Sequence, residues 1–124
     1  MITQYFRNFN NNVNSLDFVL NSEIKIRKIN DFLGIIEGNL TFESGVLDIL
    51  EVIKVTENKI TKKKYKYNFR SIKNELIFRY DNAPHHQDMS TFPHHKHINS
   101  EIIESNEPDI LQVLAEIKIF LTEI

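Results

Sequence analysis

From Leu16 to Tyr80 apolar and polar residues alternate with a period of two, broken at intervals by turn residues, and β-branched or aromatic side chains hold the alternating positions. Because successive side chains of a strand point to opposite faces, such a chain is committed to a sheet with one covered face and one wet face. The pattern predicts strands at about Asp17 to Ile29, Phe32 to Phe42, Val46 to Val55, Lys62 to Ser71 and Glu75 to Asp81. The connections are short: Asn30-Asp31, then Glu43-Ser44-Gly45 with a glycine available for positive φ, then Thr56 to Thr61, then Ile72-Lys73-Asn74. Short links between consecutive strands predict an antiparallel meander in sequential order. In its fourth strand Tyr65, Tyr67 and Phe69 take one face, and Lys64, Lys66 and Asn68 the other.

After a long irregular stretch, Pro108 stands where the first turn of a helix begins, a place where its missing N–H costs nothing. Ile110, Leu114, Ile117 and Leu121 then form a stripe, widened by Leu111, with Asp109, Gln112, Glu116 and Lys118 outside it. That stripe needs a sheet to cover. The expected fold is therefore α+β: an antiparallel β-meander of about five strands packed against a C-terminal α-helix, with a long His-rich loop over residues 82–104. One domain is expected for residues 1–124, with 1–14 flexible or peripheral.

The chain has 124 residues and no cysteine, which excludes disulfides, thiolate metal sites and a cysteine nucleophile and fits a cytoplasmic setting. Nowhere do about 18 apolar residues run together, so no membrane span is expected. The first residues lack the basic start and apolar core of a secretory signal. A formal charge of -2 does not describe a general nucleic-acid binder, although it leaves room for a local basic site.

All five histidines, His85, His86, His94, His95 and His97, fall within 13 residues, and Pro84 and Pro93 each precede a pair of them. Proline stiffens the backbone that presents each pair. Three readings compete. In the first, two imidazoles act as acid and base in RNA cleavage, Arg79 and Lys96 bind phosphate, and Asp81 orients a ring. No metal is required for this, so no cofactor is expected, a divalent ion being the alternative. In the second reading His95 and His97, two apart and pointing the same way, chelate such an ion with His85 or Asp81. Adjacent histidines share an ion poorly, which weakens it. In the third, the rings bond backbone in a loop or dock a partner without chemistry. Lys59, Lys62, Lys63, Lys64 and Lys66 crowd the fourth strand and are either a solvated face or phosphate contacts.

The string Phe78-Arg79-Tyr80-Asp81-Asn82-Ala83-Pro84-His85-His86, followed by Thr91-Phe92-Pro93-His94-His95-Lys96-His97, resembles the TumE family. The resemblance reaches less specifically to Gly38–Gly45, to Tyr65-Lys66-Tyr67 and to Ser105–Ile117. It implies the toxin half of a toxin-antitoxin pair, whose partner is a separately encoded antitoxin that usually carries a helix-turn-helix domain. It implies no particular reaction. RNA as substrate is inferred from the histidine chemistry and the habit of such toxins.

Overall fold

A computed structural model describes residues 1–123 and arranges them as one seven-stranded antiparallel sheet with two helices. The strands are β1 (Asn21–Asn30), β2 (Leu33–Phe42), β3 (Gly45–Thr56), β4 (Lys59–Ser71), β5 (Leu76–Asp81), β6 (His95–Ile98) and β7 (Glu101–Glu104), in sequential order. The α+β class and the meander follow the period-two pattern; the count of five does not. β6 and β7 are four residues each and join through Asn99-Ser100, both at positive φ, which is the backbone of a tight two-residue hairpin. Their histidines and glutamates conceal the alternation, so residues 95–104 of the expected His-rich loop are a hairpin of the sheet. The loop proper runs from Asn82 to His94.

Gly45, expected to supply positive φ, lies instead at the start of β3 with ordinary φ. A Cβ there would stand 2.5 Å from the Arg70 carbonyl oxygen and 2.9 Å from the Phe69 ring, so close approach is what requires glycine. The two-residue turn is Glu43-Ser44. Between β3 and β4 the turn is Glu57-Asn58, again both at positive φ. β1 begins four residues later than expected.

The segment expected to be peripheral, 1–14, is a helix, α1 (Ile2–Asn14). Ile2, Phe6, Phe9 and Val13 recur at helical spacing and are buried. Five asparagines in the helix and no side-chain cap at Met1 obscure the pattern, because asparagine favours caps and turns over helix interiors. The second helix, α2 (Ile110–Thr122), starts after Asp109, whose carboxylate accepts from the Gln112 N–H at 2.8 Å while the Gln112 side chain accepts from the Asp109 N–H at 2.9 Å. That reciprocal pair is a capping box, and it places Pro108 one residue before the cap. The buried stripe is Ile110, Val113, Leu114 and Ile117; Leu111, expected to widen it, is 46% exposed.

Both helices cover the same face of the sheet. Gly34 lets Phe6 of α1 approach β2, and Phe120 of α2 meets Phe69 of β4 edge-on. Leu47, Ile49, Tyr65, Tyr67, Phe69 and Phe78 complete this core from the strands. Glu51 lies fully buried among them and is satisfied by the hydroxyls of Tyr5 and Tyr67. Lys62 donates to the Tyr67 hydroxyl at 2.7 Å and to the Pro108 carbonyl, and burial lowers its pKa despite the nearby Glu51. The opposite face has no helix on it, and there the polar members of the alternation are displayed.

Candidate functional site

β5 and β6 are paired in a register that sets Asp81 opposite His95 and Arg79 opposite His97, all four on the face away from the helices. β4 adds Lys66, opposite Asp81, and Lys64 two residues earlier. The loop after β5 then turns back over this face, because the Asp81 carboxylate accepts from the Ala83 N–H at 3.0 Å. Asn82 continues the strand by side-chain mimicry: its carbonyl accepts from the Tyr65 N–H at 3.0 Å and its amide donates to the Lys63 carbonyl at 3.2 Å. His86, at φ 57, brings its ring to 5.2 Å from that of His95. A left-handed backbone is uncommon outside glycine, although histidine adopts it more readily than most residues, and it turns the ring back over the sheet. The result is a cavity of about 310 Å³ lined by His85, His86, His95, His97, Arg79 and Asp81, with Lys64 and Lys66 at its side.

Inside it the hydrogen bonds assign roles to the rings. His95 is 2% exposed. Its Nδ1 lies 3.0 Å from the Pro93 carbonyl oxygen, which can only accept, and its Nε2 lies 2.9 Å from Asp81 Oδ1. The Pro93 carbonyl therefore accepts a hydrogen bond from Nδ1–H, which fixes the ring with Nε2 facing the Asp81 carboxyl group. His97 is different. Its Nε2 is 3.4 Å from the Arg79 guanidinium, which can only donate, and 3.4 Å from Asp81 Oδ2. Burial lowers the His97 pKa below the ordinary imidazole value, the Arg79 charge adds to that, and Asp81 opposes it. His97 is therefore the ring whose protonation is disfavoured. Arg79 Nε lies 3.2 Å from Asp81 Oδ2 but is not aligned for a hydrogen bond and is buried without a partner.

Asp81, His95 and His97 bring one ligand atom each within 4.8 Å of the others, the only arrangement of that kind among the described residues. The guanidinium of Arg79 stands against two of the three and already neutralises the carboxylate. A divalent ion added there would face a fixed positive charge, so the set does not suit one. His85, expected to complete a metal shell, is exposed at the cavity rim with its ring 6.3 Å from that of His86 and is not part of the set.

Two residues expected in the site lie elsewhere. Lys96 leaves β6 on the helix side, 2.6 Å from Glu116 and above the ring of Tyr80. Its chain neighbours His95 and His97 point the other way, as strand geometry requires. His94 stacks on Tyr65, with Nδ1 2.9 Å from the tyrosine hydroxyl. Lys62 also faces the helices, whereas Lys64 and Lys66 line the cavity. Sequence reasoning missed Thr91, whose hydroxyl donates to the His94 carbonyl at 2.7 Å and accepts from the Ser105 N–H at 3.1 Å. It ties the loop to the chain beyond β7, and nothing in its local pattern announces this.

The site is a cation-rich cavity on the uncovered sheet face, with one imidazole paired to a carboxylate and another whose pKa is lowered. The family model described as Toxin TumE matches residues 9–124, and the chain belongs to that family. It thus has the toxin role of a toxin-antitoxin system, and an antitoxin is its implied partner. Comparisons with curated proteins and with solved structures found no match. Among the described residues no helix is long and apolar enough to cross a membrane.

Proposed function

We propose that this toxin acts by cleaving RNA without a metal, with His97 as general base and His86 as general acid. The observation that carries the reading is the placement of these two rings on either side of the His95–Asp81 pair, at 5.0 and 5.2 Å from the His95 ring, beside Arg79. His97 takes the proton of a 2'-hydroxyl, and the freed oxygen attacks phosphorus. As the new P–O2' bond forms, the P–O5' bond breaks, and the leaving oxygen takes a proton from the His86 imidazolium. The products are a 2',3'-cyclic phosphate and a free 5'-hydroxyl. Arg79 neutralises charge building on the phosphate, with Lys64 and Lys66 at closest reach on β4. Asp81 holds the His95 ring, which in turn positions the two reacting imidazoles. The antitoxin is proposed to be of helix-turn-helix type, in keeping with the family resemblance.

The test combines growth and chemistry. Expression of the wild type should arrest growth, and His86→Ala and His97→Ala, each confirmed folded and soluble, should relieve the arrest. Purified wild type should cleave RNA in the presence of a chelator and leave cyclic phosphate ends. Chelator-sensitive cleavage would transfer the chemistry to a metal, and undiminished arrest by the folded double variant would remove it from these rings.

A further inference from the structure

Two depressions border the histidine cavity on the uncovered face, and their charges differ. One, of about 590 Å³, adjoins it through Leu50 and Lys66 and is bounded by Glu23, Glu37 and Asp48, with Lys25 as its other cation. The second, of about 480 Å³, adjoins the cavity through Lys64 and Asn82. Val52, Ala83 and Pro84 give it an apolar floor, Lys63 and Lys64 stand over it, and its lining among the described residues contains no acidic side chain. Size alone favours the first depression. Charge decides for the second, because every nucleotide of an RNA strand brings a phosphate that three carboxylates would repel and two ammonium groups would attract. Arg70, at 2.8 and 3.2 Å from Asp48, offsets that carboxylate in part, which leaves Glu23 and Glu37 to carry most of the repulsion.

We infer that single-stranded RNA leaves the histidine cavity on one side only, seating an unpaired base on Val52, Ala83 and Pro84 and its phosphate against Lys63 and Lys64. The inference rests on the RNA reading above and names the kind of RNA that the cavity takes. A base engaged in a duplex has its faces stacked and its edge paired, and cannot enter a niche in the plane of the sheet. An unpaired base can, and apolar contact of this kind tolerates any sequence.

Fluorescence anisotropy with a 2'-O-methyl octanucleotide, which lacks the attacking hydroxyl, reads binding apart from cleavage. Single-stranded probe should bind the wild type at least about tenfold tighter than the same sequence in a hairpin stem, at about 0.1 M salt. Lys63→Glu should weaken single-strand binding about tenfold, and Lys25→Glu, an equal change of charge on the other side, by less than about twofold. Ala83→Glu should act like Lys63→Glu, since it sets a carboxylate in the niche. Equal loss for Lys63→Glu and Lys25→Glu, or a stem bound as well as the single strand, would overturn the one-sided path. If unmodified RNA is still cleaved in that case, the cleavage reading survives without it; if no RNA is bound or cleaved, both fall together.

Discussion

Lys96 and His97 are neighbours in the chain whose side chains leave the sheet in opposite directions, and the difference decides what each can do. Lys96 is paired with Glu116 of α2 and has no access to the cavity. Changing Lys96 to Ala should therefore lower stability by about 1 kcal/mol, read as a shift in the denaturation midpoint, while RNA cleavage by the folded protein is kept. Loss of cleavage with an unchanged midpoint would put the lysine back in the site. His97 makes the opposite case. Because its pKa lies below the ordinary imidazole value, the ascending limb of kcat/KM against pH should fall below about pH 6.5. Replacing Arg79 by Met should move that limb upward, since one of the charges disfavouring the imidazolium is gone. The same shift has a folding consequence. Between the folded pKa and the higher unfolded one, the unfolded chain binds more protons, so stability rises with pH through that window and is complete above it. Denaturation midpoints of wild type and His97→Ala across pH 5 to 7 should diverge in that direction.

The two helices were not equally legible. α2 announces itself by Pro108 and a stripe of aliphatic side chains, and only the membership of Leu111 and Val113 in that stripe is decided by the sheet beneath. α1 has its buried residues at helical spacing too, but asparagine-rich composition disguises it, and its stability comes from packing on β2 rather than from propensity. Gly34 measures that packing. A methyl at this position would stand 2.4 Å from the Phe6 ring and 3.0 Å from Ile2, so Gly34→Ala should cost about 1 to 3 kcal/mol by overpacking, checked by urea denaturation. An unchanged midpoint would mean that α1 is only loosely seated. The strands β1 to β5 could be read because one face of each is apolar. β6 and β7 could not, since His95, His97 and Glu104 replace apolar residues on the uncovered face, where nothing demands them. The histidine cluster was legible as a cluster; which rings share a cavity was set by strand alternation across residues 94 to 97, and that required knowing the strand was there.

The molecule keeps its two tasks on opposite faces of one sheet. Tyr67 belongs to the helix side, where it joins Lys62 to Glu51. Tyr67→Phe removes a donor from a buried carboxylate and an acceptor from a half-buried lysine, and should cost about 1 to 3 kcal/mol. A fall in melting temperature with kcat/KM for RNA essentially unchanged is the expected outcome; a matching fall in kcat/KM would mean that the faces are mechanically coupled. Strand order carries a further implication for synthesis. Arg79 and Asp81 emerge first, and their partners His95 and His97 only after the intervening loop has been made. On the proposed mechanism, a nascent chain that ends before β6 lacks the base His97 and holds only one side of the cavity, so a fragment released early would not cleave RNA.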